Sequence, residues 1–276
     1  MGGYSYSMAM DKYLKGVKMN KKWANILKFC ALFATLAFAG CYKPVYYPEL
    51  VGEQPTVVLP AQYRIVGTSV ERQPIMCLVL GEGPDVTFIL ATIHGNEVAG
   101  TPLVRWLGKY LRQYPEMLTG RTVVLLSVVN PDGMAHDRRH NSRGVDLNRN
   151  FEASNRLNDK ESGQIALSEP EARVIHRLIL QYKPDRIVTL HQPLACIDYD
   201  GPAQMLADRM GKYCALPVKK LGAKPGSLGS YAGVTLGIPI ITFEMMGADS
   251  QLDSETLWHK YGRALLAAIL YPDPIR

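Results

Sequence analysis

"VTFILATIHGNEVAG", residues 86 to 100, joins an apolar run to a polar cluster. Val86 to Ile93 is too continuously apolar for a strand with one face in water, so it reads as a strand covered on both sides. His94 and Glu97 stand three apart just where such a strand should end. Four further runs are short and β-rich: "IMCLVLG" (75–81), "TVVLLSVVN" (122–130), "DRIVTLH" (185–191) and "IPIITFE" (238–244). Helical patterns lie between them, over about 97–114, 168–182, 201–214 and 254–270. The order predicts an α/β fold with a mixed, largely parallel central sheet flanked by helices.

The 276 residues, 47% of them hydrophobic, suffice for one large domain. Six lysines against one acid in residues 1 to 40 account for nearly all of the formal charge of +6, leaving +1 for the rest. A nearly neutral body removes the main argument for nucleic-acid binding. "MNKKWANILKFCALFATLAFAGC" (19–41) has a lysine-rich start, an apolar stretch and small residues at its end, the pattern of a secretory signal. Its ending resembles a bacterial lipobox, which makes Cys41 the lipidated first residue and predicts an exported, periplasmic, membrane-anchored lipoprotein. Residues 1 to 18 then form an upstream extension ahead of Met19. The proline-rich segment 42–60 reads as a tether, giving an organisation of signal (1–40), tether (41–60) and folded body (61–276). Cys77, Cys196 and Cys214 remain, with no C-x-x-C pair; Cys196 with Cys214 is the pairing to test.

In open α/β sheets, ligands gather beyond the carboxyl ends of the strands. His94 in "ATIHGNE", His191 in "IVTLHQP" and Glu244 in "ITFEMM" are each expected at such an end. Catalytic zinc sites commonly take two histidines and one carboxylate, with a position left open. His94, Glu97 and His191 supply that set for one zinc ion, while His136, His140 and His259 lack strand-end placement. Glu244 is then free to be the general base. The loop 130–151 carries Arg138, Arg139, Arg143 and Arg149, and arginine grips a carboxylate with two parallel hydrogen bonds. The helix of "SEPEARVIHRLILQYKP" reads as structural, with Ser168 and Glu171 as a capping box and His176 as an ordinary helix residue.

With "HGNE", "NPDG", "GVDLNRNF", "SEPEAR", "TLHQP", "PGSLGSYAG" and "ITFEMM" in this order, the chain resembles the zinc carboxypeptidases, and within them the bacterial murein peptide amidase A group. The resemblance implies that His94, Glu97 and His191 bind zinc and Glu244 is the base. It implies that Asn148 and Arg149 hold a substrate carboxylate, that Arg139 stabilises the oxyanion, and that Ser227 and its neighbours wall the specificity pocket. Digestive members carry a mobile tyrosine a few residues before the glycine-serine element. This chain reads "KKLGAKPGS" there, with Tyr231 as the substitute from the other side. The departure favours cleavage between γ-D-glutamate and diaminopimelate over ordinary trimming of peptides. Asp198 and Asp200 in "CIDYDGP" have two readings, a receptor for the diaminopimelate ammonium or a turn. Two rivals stand beside the amidase: a deacylase of the aspartoacylase and desuccinylase branch, and a silent lipoprotein that binds murein peptides. Export, "SEPEAR" and the retained Glu244 argue against them.

Overall fold

In the computed structural model of the chain, residues 62–273 are described, within the unit that runs from Gln54 to Arg276. The expected signal (1–40), tether (41–60) and lipidation site Cys41 lie outside these residues. The strands are β1 (Tyr63–Thr68), β2 (Pro74–Leu80), β3 (Asp85–Ala91), β4 (Arg121–Leu126), β5 (Arg186–His191), β6 (Leu194–Asp200) and β7 (Ile240–Met246). They form one sheet in the order β1-β2-β4-β3-β5-β7-β6. The central pairs β4–β3, β3–β5 and β5–β7 are parallel, and the pairs toward the edges, β1–β2, β2–β4 and β7–β6, are antiparallel. The sheet is therefore mixed, parallel at its centre, where the apolar runs lie, and antiparallel in the other half of its pairs, so it is less parallel than the sequence leads one to expect.

Along β3, side chains alternate between two cores. Ile89 and Ala91 join one with helices α1 (Gly100–Gln113), α4 (Gln204–Gly211) and α5 (Ser254–Ile269). Phe88 and Leu90 join the other, beneath α3 (Pro170–Tyr182); a short α2 spans Pro131–Ala135. Every residue of β5 is buried, so the central strands have no solvent face. Burying each large apolar side chain contributes about 1.5–3 kcal/mol, which fixes the strand ends where the two cores stop.

Four expectations are corrected. The strand read to His94 ends at Ala91, and α1 starts at Gly100 rather than near 97. The intervening residues are spent on a tight turn: Thr92 takes a left-handed φ of 54°, and its hydroxyl pairs with that of Thr101 at 2.7 Å. Gly95 lies so close to the Asn-Pro-Asp-Gly turn that a Cβ would come within 2.1 Å of Gly133. Glu244 is not the last residue of β7, which runs on to Met246 because β6 returns antiparallel beside it. The capping box at Ser168 does not form. Glu169 is the N-cap without a side-chain bond, while Glu171 turns inward to accept from the Val70 amide at 3.0 Å. Finally, Asp198 and Asp200 belong to strand β6 and not to a turn. Cys77, Cys196 and Cys214 are all free thiols.

Candidate metal centre

The turn after β3 and the end of β5 bring His94, Glu97 and His191 together, at 3%, 6% and 2% exposure. Glu97 stands between the two rings. Its Oε1 lies 2.8 Å from His94 Nδ1 and its Oε2 lies 2.7 Å from His191 Nδ1, and the rings are 4.9 Å apart. One donor atom from each residue falls within 4.8 Å of the others. The Gln192 amide donates to Glu97 Oε2 at 3.1 Å, which fixes the carboxylate from the backbone side.

Asp146 completes the arrangement, and it is the functional residue that motif reading passed over. Its Oδ1 lies 3.0 Å from His94 Nε2, and its Oδ2 accepts from Arg139 Nε at 3.1 Å. Arg139 also donates to Glu97 Oε1 at 3.2 Å. A carboxylate on the outer nitrogen of a histidine fixes the tautomer and leaves the other nitrogen for a metal. Asp146 sits inside "GVDLNRNF", two residues before Asn148, whose amide it accepts at 2.8 Å. The single available signal was an acid at a helix start beside the carboxylate-binding pair.

These donors fit a zinc ion. Two imidazole nitrogens and one carboxylate converge in a buried place, the outer nitrogen of His94 is occupied by Asp146, and His191 Nε2 has no hydrogen-bond partner, so that ring's polar contact is made through Nδ1 toward Glu97. The charges are set by the neighbours. Burial would raise Glu97, but His191 and His94 outweigh it and hold the carboxyl well below its ordinary range. Burial likewise opposes ionisation of Asp146, and His94, Arg139 and Arg149 overcome it. Glu244 behaves differently. Burial foremost pushes it up, with Glu97 adding to the rise and His191 and His94 opposing.

Glu244 lines the same cleft as the trio and pairs in register with His191 across the parallel β5–β7 ladder. Its Oε2 accepts a long hydrogen bond from the Leu194 amide at 3.4 Å. Arg139, Asn148, Arg149 and Ser227 also line the cleft. Asn148 Oδ1 accepts from the Leu228 amide at 2.8 Å, and Arg149 donates to the Asn148 carbonyl at 2.7 Å. Arg143 instead lies 3.6 Å from Glu169, and Arg138 is exposed, so the choice among the loop arginines falls on Arg139.

Tyr231 is not brought to the cleft. The π-helical turn Gly229–Thr235 carries it into the core, where its ring stacks on Phe151 at 5.9 Å and its hydroxyl meets His176 Nδ1 at 2.9 Å. Burying the ring with its hydroxyl satisfied is the physical reason it cannot also reach substrate, and it gives His176 the structural part expected of it. His136, His140 and His259 lie away from the trio, 3.7 to 3.8 Å from Glu71, Glu161 and Glu255.

Residues 49–207 match the zinc carboxypeptidase family, more than half of the chain. The chain belongs to the zinc carboxypeptidases. It is 36% identical to murein peptide amidase A of Escherichia coli (strain K12) over 185 residues, covering 60% of this chain and 74% of that protein. The Vibrio campbellii protein of the same name is 30% identical over 185 residues, 60% of this chain and 72% of the relative. The crystal structure of a murein-tripeptide amidase from Escherichia coli O157 superposes with a TM-score of 0.64 at 28% identity, over 81% of this chain and 97% of that one. Carboxypeptidase A of Helicoverpa armigera shares the fold, with a TM-score of 0.62 at 18% identity over 79% and 70% of the two chains. Membership of this zinc-dependent family makes the protein a metallopeptidase-type hydrolase.

Proposed function

We propose that the protein hydrolyses an amide bond in murein peptides, the one between γ-D-glutamate and diaminopimelate, with one zinc ion per chain held by His94, Glu97 and His191. The observation that carries this reading is a single cleft lined by the trio, by a carboxylate outside the trio, Glu244, and by the Asn148–Arg149 pair. Similarity to murein peptide amidase A supports the substrate class. So does the stretch "KKLGAKPGS", which carries no tyrosine where the resemblance places one in the digestive members.

Zinc bound there would acidify a water molecule and polarise the scissile carbonyl. Glu244, raised by its burial, is suited to take a proton at its carboxylate and return it to the leaving amine. Arg139, steadied by Glu97 and Asp146, presents a partly exposed guanidinium where negative charge develops on the carbonyl oxygen. Asn148 and Arg149 orient the substrate by the α-carboxylate of the leaving residue. The test is turnover of L-Ala-γ-D-Glu-diaminopimelate, followed by mass spectrometry. Glu244→Gln should lower turnover by roughly 100-fold to 10,000-fold with zinc still bound. Near-normal turnover in that variant would overturn the base assignment, indifference to amidation of the α-carboxylate would remove Asn148 and Arg149, and failure of wild type to release diaminopimelate would remove the substrate.

The protein is read as exported, periplasmic and anchored through lipid on Cys41, on the strength of the signal-like segment 19–41. Cys41→Ser should move it from the membrane fraction to the soluble fraction, because the run before Cys41 is short of the about 20 apolar residues a span needs. Unchanged membrane retention, with no acyl chain on the wild type, would rule the anchor out.

A further inference from the structure

A single side-chain amide joins the turn that carries Glu97 to the strand that carries Glu244. Gln192 follows His191 at the end of β5 and is 6% exposed beside the cleft. Its Oε1 accepts from the Ala99 amide at 3.1 Å, two residues beyond Glu97. Its Nε2 donates to the Met246 carbonyl at 2.9 Å, two residues beyond Glu244, and to the Gly247 carbonyl at 3.3 Å. Its backbone amide donates to Glu97 Oε2 at 3.1 Å. The side chain thus has its oxygen and both of its N–H groups engaged, while the main chain touches the carboxylate of the trio.

Sheet pairing alone does not set the distance that this amide spans. The β3–β5 ladder ends at Ala91 and Leu190, and the β5–β7 ladder ends at His191 and Glu244. Glu244 is therefore placed by the sheet, whereas Glu97 lies in the turn beyond it and depends on side-chain ties. Gln192 stands one step past both ladders, where one side chain can reach both. Each end of the bridge is anchored. Ala99 is the N-cap of α1, whose Leu103 and Leu107 are fully buried. At the other end Asp249, 1% exposed, accepts from the Met246 amide at 2.9 Å and from the Tyr261 hydroxyl of α5 at 2.6 Å. Both main-chain polar groups of Met246 are thus held, the amide by Asp249 and the carbonyl by Gln192. The place also demands an amide. Glutamate would set a carboxylate against two carbonyl oxygens, and methionine would fill the space but leave the Ala99 N–H and the Met246 carbonyl without this partner.

We propose that Gln192 is a positioning residue that fixes the Glu97 carboxylate relative to Glu244, so that the ligand set and the base keep one separation. The effect on rate rests on the amidase reading; the effect on zinc is measurable without turnover. In chelator competition, Gln192→Glu and Gln192→Met should bind zinc about 10-fold more weakly than wild type, the low end for partners that orient ligands. The visible absorption of the cobalt(II)-loaded variants should shift as well. On L-Ala-γ-D-Glu-diaminopimelate, kcat at saturating zinc should fall about 10-fold with KM within about 3-fold, because placement is lost and not the grip on substrate. Val174→Ala, a truncation in the core beneath α3, loses stability away from the bridge and should keep the zinc affinity and cobalt spectrum of wild type. Wild-type zinc affinity and spectrum in both Gln192 variants overturn the proposal. So does failure of both to fold where Val174→Ala folds, since Gln192 would then be a core residue only. An unchanged kcat in the zinc-saturated variants overturns the link to Glu244. Weakened zinc binding in the variants, with no hydrolysis of the tripeptide by wild type, leaves the hold on Glu97 standing and removes the amidase reading. Hydrolysis by wild type with unaltered zinc binding in the variants does the reverse.

Discussion

At one end of the cleft, Glu97 and Asp146 are buried carboxylates held well below their ordinary range, each because two or more cationic or donating groups reach it. At the other end Asp200, just as buried at 5% exposure, is pushed up to about 6. Both ends are equally deep, so depth alone does not set the charge of an acid. The count of partners does: His94, His191, Arg139 and the Gln192 amide at the first end, against one like charge and a distant lysine at the second. The carboxylates of the first end find their partners within the chain.

The largest expected effect comes from breaking the first end. His191→Ala removes one of the three donors and should abolish zinc binding measured on the purified protein, a loss beyond the about 10- to 100-fold attached to outer partners. Full zinc content in that variant would end the assignment of the trio. Asp146→Asn keeps the shape but removes the charge that fixes His94, and zinc affinity should fall by about 10- to 100-fold. Unaltered affinity would mean that Arg139 and Glu97 orient the ring without Asp146.

The smallest effect has the opposite sign. Asp200 carries a proton in both folded and unfolded chains below about pH 4, so its penalty is absent there. It grows as pH rises toward about 6 and is present in full above, because the raised value belongs to the folded state. Asp200→Asn, with no charge to bury, should therefore be more stable than wild type by about 1–3 kcal/mol at pH 7.5, and the gap should close toward pH 4. Denaturant unfolding at the two pH values checks it. Equal stabilities at pH 7.5 would show that a cation within the chain already serves Asp200, and the contrast between the two ends would vanish.

Much of this was legible before folding, for a reason that particular residues show. Central parallel strands are buried on both faces, so "VTFILA" and "RIVTLH" are apolar throughout, and His94, Glu97 and His191 stand out at their ends. The edge strand was harder. "LACIDYD" alternates Cys196, Asp198 and Asp200 with Ile197 and Tyr199, a period of two, but its acids and the glycine-proline that follows imitate a turn. Only the pairing with β7 turns the acids into the cleft and Ile197 into the core. Tyr231 was misplaced for a similar reason, since a motif gives the order of residues and not the direction in which a helical turn points them.

The sequence by itself determined the α/β class, the two histidines and the glutamate that meet, and the separate glutamate beside them, because local burial and spacing dictate strands and their ends. The tertiary structure alone decided what surrounds each charge: that Asp146 holds His94, that Arg139 rather than Arg143 reaches the cleft, that Tyr231 leaves it, and that Asp198 and Asp200 face it together. Those outcomes depend on contacts between segments far apart in the chain, such as Asp146 with His94 across 52 residues and Tyr231 with His176 across 55. The energy of a buried charge depends on whatever such contacts bring within a few ångströms of it, and no local pattern in the chain encodes that.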